Sequence, residues 1–113
     1  MSIPRWQAAL ALVYYKMDDH KQAHTIIDRL ILRSDTTAAG SPAYFTGWYY
    51  SGIGVADSAF YWLEKAYRNH SPEMPWLKVD PAFNSLKDDP RYWDLYERTG
   101  HKAYDDYMAS KNK

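Results

Sequence analysis

The chain has 113 residues, and its fourteen lysines and arginines balance fourteen aspartates and glutamates. This length predicts one domain, and a net charge of zero gives no overall field that would draw the protein to nucleic acid or to an anionic membrane. The absence of cysteine excludes disulfides and thiolate chemistry. It fits a reducing cytoplasm and a periplasm equally, so the compartment stays open, although we favour the cytoplasm.

The apolar and aromatic residues indicate whether the chain enters a membrane and whether it has an exposed binding surface. No apolar run approaches the ~20 residues that cross a bilayer, and the start of the chain lacks the features of a secretory signal, so we expect a soluble protein. Aromatic residues make up 17% of the chain, which is more than a core of this size needs. Some rings should therefore be exposed, where tyrosine and tryptophan favour interfaces.

A first helical hairpin is predicted over residues 4–33. Its first helix should begin near Pro4 and end near Met17, with an apolar face made by Trp6, Ala9, Leu10, Val13, Tyr14 and Met17. Asp18 or Asp19 can cap the second helix, because a short carboxylate accepts from free N–H groups of a first turn. That helix continues the apolar spacing with Ala23, Ile26, Ile27, Leu30 and Ile31.

A second hairpin is predicted over residues 42–69, after a small-residue loop at 34–41. Ser41-Pro42 reads as a cap followed by a first helical residue. Gly47 lies among aromatic residues of this helix, which indicates close approach by a neighbouring helix. Gly52-Ile53-Gly54 should form the turn into a helix with a continuous apolar stripe, comprising Ala56, Ala59, Phe60, Leu63, Ala66 and Tyr67.

The two hairpins repeat one pattern. Tyr50 lies 36 positions after Tyr14, and Ala59 lies 36 positions after Ala23. The pattern resembles the tetratricopeptide repeat, a helix-turn-helix unit of about 34 residues. The matching positions are Leu10, Ala11, Tyr14, Ala23, Ile27 and Leu30 in the first unit, and Thr46, Gly47, Tyr50, Ala59, Leu63 and Ala66 in the second.

Residues 71–100 extend this resemblance. They carry WLKVDP, Phe83, Leu86 and DPRY in the order seen in the closing segment that follows the last repeat of many bacterial tetratricopeptide-like proteins. Asp80-Pro81 and Asp89-Pro90 both read as a cap followed by proline, which predicts a short helix over 82–87 and a longer one over 91–99 that Gly100 ends. We expect Trp76 and the other apolar residues of this closing segment to cover the helix at 56–67, and a tail over 101–113 to extend in part as a helix.

The resemblance implies an all-α fold in which residues 1–113 form a single domain, with two hairpins and a capping segment in a right-handed superhelical stack. It also implies a non-catalytic adaptor or regulatory module without a cofactor. In the family, the first helices of successive repeats line a concave groove that holds peptides. By helical position, the residues of this surface are Arg5, Ala8, Leu12, Tyr15, Lys16, Tyr44, Trp48 and Ser51.

We therefore predict an aromatic, mildly basic face for a protein or peptide partner, whose identity the residues do not give. Two alternatives stay open. The aromatic side chains can instead pack on the closing segment or on a second subunit. The protein can also be a small-molecule sensor, with an apolar ligand enclosed by aromatic residues that include Trp48 and Tyr49.

Metal and catalytic sites are predicted to be absent. His20 and His24 have the spacing of two metal ligands on a helix. They lie at a helix start, where capping and packing explain histidines, and no glutamate occupies the position required by an HExxH motif. No nucleophile, base and orienting group can be assigned together, so we expect no enzyme.

The N-terminal side of the first hairpin lacks an obvious cover. Two hairpins are few for a helical stack, because each end leaves an apolar face. The closing segment can cover the C-terminal end, whereas Trp6, Leu10 and Val13 have no partner in the predicted fold. We expect either self-association through the N-terminal hairpin or excision of this chain from a longer protein.

Overall fold

The computed structural model describes residues 3–36 and 40–99. Within these ranges the regular structure is entirely helical, and it contains no strand, so the predicted all-α class is confirmed. Five α-helices and two 3-10 helices follow one another: α1 (Pro4–Lys16), α2 (His20–Thr36), α3 (Ser41–Gly52), α4 (Ala56–Arg68), the first 3-10 helix (Met74–Lys78), the second 3-10 helix (Pro81–Leu86) and α5 (Pro90–Arg98). None of the helices in these ranges has both the length and the apolar character that crossing a membrane requires.

Aspartates begin three of these helices, as predicted. Asp80 and Asp89 each accept a hydrogen bond from the backbone N–H two residues on, at 3.0 Å and 2.9 Å. Asp19 accepts from the N–H of Gln22 at 3.3 Å, at the start of α2. Each carboxylate thereby satisfies one of the backbone donors that a helix leaves free in its first turn.

Several predicted boundaries differ from the structure. Ser41 is the first residue of α3 and not its cap, because its hydroxyl donates to the carboxylate of Glu73 in the closing segment. The helix predicted over 82–87 is a 3-10 helix that begins and ends one residue earlier. α2 continues to Thr36, beyond the predicted hairpin limit of residue 33. The predicted end at Gly100 and the tail at 101–113 lie outside the described residues.

The central element is α3. It contacts α1, α2, α4 and the second 3-10 helix, and residues 42–47 are buried without interruption. A helix surrounded in this way is apolar on all sides, as the sequence of α3 is. Gly47 allows the close contact with α4 that was predicted: a Cβ atom there would lie 3.1 Å from the carbonyl oxygen of Ala59 and 3.0 Å from Leu63 Cγ.

The closing segment packs on two sides of the protein. Phe83 and Leu86 are buried near α3, and Tyr92 donates to the carbonyl of Leu77 at 3.1 Å. Two arginines tie α5 to α4. Arg91 lies 2.9 Å from an Asp57 carboxylate oxygen and over the ring of Phe60, whereas the guanidinium of Arg98 pairs with Glu64 and stacks over Tyr67.

Trp76 does not take the predicted position. It was expected to cover α4, but its side chain is about half exposed and lies beside α1 and α3. The first 3-10 helix is the physical reason, since Met74 and Leu77 turn inward and are buried, and Trp76 between them is directed outward.

Candidate binding groove

A groove is formed where α1, α3 and the closing segment meet. It has a volume of about 390 Å³. Each of the three elements contributes a tryptophan, and the full lining comprises Arg5, Trp6 and Ala9 from α1, Phe45 and Trp48 from α3, and Trp76, Asp80 and Pro81 from the closing segment. We call this feature the tryptophan groove.

The walls of the tryptophan groove are accessible and its floor is not. Trp6 is 67% exposed and Trp76 is 48% exposed, whereas Trp48 is half-buried and Phe45 is buried. An indole ring offers an apolar face and one N–H donor, so it can cover an apolar side chain and also donate to a backbone carbonyl. The groove therefore has the chemistry of a recognition surface for an apolar group.

Hydroxyl groups of α3 hold the closing segment in place as one wall. Tyr44 donates to Asp80 Oδ2 at 3.1 Å, and its ring meets Phe83 edge-on with centroids 5.6 Å apart. Ser51 donates to the carbonyl oxygen of Ala82 at 2.5 Å. Burial, reinforced by the neighbouring Asp80 charge, raises the pKa of Tyr44 well above its ordinary value. Its hydroxyl therefore stays protonated and keeps its hydrogen bond to Asp80.

The structure brings two of the predicted site residues, Arg5 and Trp48, into the tryptophan groove. Three others lie inside the protein: Ala8 and Tyr44 are fully buried, and Ser51 is 3% exposed. These three cannot touch a partner in this conformation, because α3 and the closing segment already occupy their side chains. For Tyr44 the alternative prediction, that aromatic side chains pack on the closing segment, describes the observed contact. Ser51 also contacts the closing segment, through its hydrogen bond to Ala82.

Leu12, Tyr15 and Lys16 do not line the tryptophan groove. Leu12 is half-buried and faces Gly52, where a Cβ atom would lie 3.1 Å from Leu12 Cδ1. The ring of Tyr15 stacks on His20, with centroids 4.1 Å apart and planes 4° from parallel. Lys16 is exposed at the end of α1. The predicted face is thus divided between the groove, the core and the far end of α1.

Several groove residues were missed by the sequence reasoning. Trp6 was assigned to the apolar face of the first helix, without a partner in the predicted fold, and Trp76 was assigned to the cover of α4. Phe45, Ala9, Asp80 and Pro81 were not assigned to a binding site. Helical spacing could have indicated Ala9, which lies one turn after Arg5 on the same helix. No comparable signal exists for Trp76, because an irregular segment has no period that fixes the direction of a side chain.

The two histidines considered as metal ligands have other surroundings. His20 stacks on Tyr15, and its Nε2 lies 3.5 Å from an Asp18 carboxylate oxygen. His24 is exposed on α2. Over residues 3–36 and 40–99, no three histidine, cysteine, aspartate or glutamate side chains come together in an arrangement that could hold a metal ion.

The described site therefore consists of three indole rings, a buried phenyl floor, one exposed cation and one carboxylate that already accepts two hydrogen bonds. This arrangement can bind an apolar group by desolvation and can pair with a carboxylate through Arg5. Comparison of the chain with protein-family models, with curated proteins and with solved structures gives no match.

Proposed function

We propose that this protein is a non-catalytic, tetratricopeptide-like interaction module that binds a peptide segment of a partner protein in the tryptophan groove. The observation that carries the proposal is the convergence of Trp6, Trp48 and Trp76 from three separate elements on one accessible groove. Tryptophan is enriched at binding hot spots, because a large rigid ring buries much area while only two side-chain torsions have to be fixed.

The packing of the hairpins supports the repeat part of this proposal. Two pairs of positions related by the spacing of 36 residues have the same environment: Ala23 and Ala59 are fully buried, and Ile27 and Leu63 are at most 1% exposed. Leu10 and Thr46 differ, because Leu10 is exposed and Thr46 is buried. α1 contacts α2, α3 contacts α4, and α3 also contacts both helices of the first hairpin. Stacked tetratricopeptide-like hairpins in a right-handed superhelix would have these contacts, and α1 and α3 would then line the concave side.

The charges of the groove indicate the chemistry of the partner. Asp80 Oδ1 accepts from the Ala82 N–H and Asp80 Oδ2 accepts from Tyr44, so this carboxylate is already engaged within the protein. Arg5 is exposed at the rim and can pair with a carboxylate. We infer a peptide that inserts an aromatic or large aliphatic side chain between the tryptophans and presents an acidic group to Arg5.

A small-molecule sensor is the second candidate, and the volume of the groove favours it. About 390 Å³ lies within the ~300–1,000 Å³ of small-molecule sites. Trp48 lines this space, but Tyr49, the other residue predicted for such a pocket, is fully buried and does not. Since Trp6 and Trp76 leave the groove accessible along its walls, an extended peptide suits it better than an enclosed ligand.

The test uses a phage-displayed library of random peptides selected on the full chain. We expect enrichment of peptides with an apolar anchor next to an acidic residue. Trp48→Ala and Trp76→Ala should each weaken the selected peptide by at least about 10-fold, as truncated hot-spot residues do. Trp93→Ala is the matched control, because this tryptophan is 50% exposed on α5 and does not line the groove.

Two results would count against the peptide proposal. Equal loss of affinity in the Trp93→Ala variant would show that binding depends on surface tryptophan in general and not on the groove. A library without enriched sequences, together with a shift of tryptophan emission by small apolar compounds that Trp48→Ala abolishes, would favour the sensor.

A further inference from the structure

The outer face of α1 carries a continuous row of exposed apolar side chains. They are Ile3, Trp6, Leu10, Val13 and Met17, which are exposed by 57%, 67%, 49%, 53% and 69%. The opposite face of this helix is anchored in the protein, since Ala8 and Ala11 are fully buried. The row, which we call the α1 stripe, therefore faces away from the core.

The spacing of the α1 stripe alternates between three and four residues. This is the heptad spacing by which a helix packs lengthwise on another helix. Five of the eleven large apolar side chains that are exposed in the described part of the chain belong to the stripe, so these residues are concentrated and not scattered. A contiguous apolar surface of this kind marks an interaction site.

We propose that the α1 stripe is the interface of a symmetric homodimer in which α1 helices of two copies pack antiparallel. The exposed parts of the five side chains amount to roughly 600 Å² per copy, so a pair would bury about 1,200 Å², where specific interfaces begin. A two-fold axis makes the same patch serve both copies, so the stripe needs no second complementary surface.

Charge at the two ends of α1 selects the antiparallel orientation. Arg5 and the positive end of the helix dipole lie at the N-terminal end. Asp18 and Asp19 follow the C-terminal end, where they outnumber Lys16, and the Asp18 side chain is 96% exposed. A parallel pair would bring the Arg5 side chains of the two copies together, whereas an antiparallel pair brings Arg5 of each copy toward the exposed Asp18 carboxylate of the other.

Side-chain size is complementary in one antiparallel register. With Leu10 of one copy against Val13 of the other, Trp6 lies against Met17 of the other copy, and the two-fold axis repeats both pairs. A thioether beside an aromatic ring is a favourable contact, and a flexible methionine adapts to the large indole. The positions of α1 that flank the middle of the stripe, Gln7, Ala9 and Tyr14, are uncharged, and the nearest charge is that of Arg29 on α2, which lies beside Trp6 and Leu10 at the edge of the contact.

The first test is analytical ultracentrifugation of the full chain over a wide concentration range. We expect a monomer–dimer equilibrium. Leu10→Glu and Val13→Glu should each raise the dimer Kd by at least about 30-fold, because a carboxylate is buried without a partner. Val79→Glu is the control: this valine is 72% exposed, lies outside the stripe and should leave the Kd unchanged. Circular dichroism verifies that each variant keeps its helix content.

The second test determines orientation, using a chain that contains no cysteine of its own. Trp6→Cys and Met17→Cys chains are mixed and oxidised. An antiparallel dimer forms the mixed disulfide between the two variants. A monomeric wild type, a Val79→Glu effect equal to that of Leu10→Glu, or disulfides only between identical variants would each overturn the proposal. Trp6 belongs to both the α1 stripe and the tryptophan groove, so both tests are made without peptide; Leu10→Glu and Val13→Glu change only the stripe, since neither residue lines the groove.

Discussion

Two tyrosines of α3 are equally buried but differ in what their hydroxyl groups meet. Tyr44 and Tyr49 both have no exposed surface. Tyr44 donates to Asp80, whereas the hydroxyl of Tyr49 has no hydrogen-bond partner within the described residues. A buried polar group without a partner loses its contacts with water and gains none in return.

Removal of these hydroxyl groups should therefore have opposite effects. Tyr49→Phe is expected to raise the free energy of unfolding by about 1 kcal/mol, since it removes an unpaired buried hydroxyl, and Tyr44→Phe to lower it by about 1.5–3 kcal/mol, since a hydrogen bond to a carboxylate is lost. Urea denaturation followed by circular dichroism measures both. The interpretation fails if both variants change stability in the same direction.

For single residues, the sequence predicts which side chains share one face of a helix, but it does not predict which of them another segment covers. Arg5 and Trp48 were predicted for the binding face and line the groove. Tyr44 and Ser51 were predicted for the same face by their positions on the helix, yet the closing segment packs on them. The helical period gives the direction in which a side chain leaves its own helix. It does not show whether a segment about thirty residues further along the chain packs against that side chain.

At the contact between helices α3 and α4, the structure leaves little room for a larger side chain. A Cβ atom at Gly47 would meet the backbone oxygen of Ala59 at 3.1 Å, and backbone cannot rotate away. A Cβ atom at Gly52 would meet Leu12 Cδ1 at the same distance, but this is the flexible end of a side chain. An added Cβ atom would thus have equally little space at Gly47 and Gly52, but it would meet rigid backbone at Gly47 and a flexible side chain at Gly52.

Gly47→Ala is expected to lower the free energy of unfolding, because overpacking typically costs about 1–3 kcal/mol and exceeds the ~1 kcal/mol that alanine gains in helix propensity. Gly52→Ala is the matched control and should change stability by less, since Leu12 can repack. Thermal unfolding of both variants measures the difference. A Gly47→Ala protein as stable as the Gly52→Ala protein would mean that α4 can shift on α3.

The prediction of elements succeeded where a local signal exists. Apolar spacing located all four helices of the hairpins, and aspartate followed by proline located the starts of the second 3-10 helix and α5. The type of the short helix was not predicted, because six residues do not show in their sequence whether backbone hydrogen bonds span three or four positions. The direction of Trp76 followed from that same irregular segment and could not be read from spacing.

For the whole molecule, buried tyrosines predict how stability depends on pH. Burial raises the pKa of Tyr49 to about 12, and also raises the pKa values of Tyr44, Tyr50 and Tyr92 above their ordinary value. Between about pH 10 and pH 12 the unfolded chain releases protons that the folded protein retains. Stability is therefore complete below about pH 10 and falls as pH rises above it.

This dependence can be measured by urea denaturation at about pH 8 and about pH 11, with tyrosinate absorbance as the probe of ionisation. We expect a lower free energy of unfolding at the higher pH. The Tyr49→Phe variant should lose less stability over the same interval, because one raised pKa has been removed. An equal loss in wild type and variant would exclude Tyr49 as a contributor.

The fold class could be predicted from sequence, but the groove could not. Its tryptophans are far apart in the chain, with Trp76 70 positions after Trp6, and they meet only because the closing segment returns to α1 and α3. Such a return depends on tertiary packing, here on Tyr44, Ser51 and the buried ring of Phe83. The same limit applies to any site assembled by an irregular segment.

The tryptophan groove has walls of unequal stiffness. Trp6 and Trp48 stand on regular α-helices, whereas Trp76 stands on a five-residue 3-10 helix, whose hydrogen bonds have poorer geometry. Backbone amides around Trp76 should consequently exchange with deuterium sooner than those of α3, where residues 42–47 are buried without interruption. A side chain that enters the groove therefore contacts two rigid walls, Trp6 and Trp48, and one wall that can move, Trp76. The groove can adapt to side chains of different width, while the two rigid walls keep the direction of entry constant.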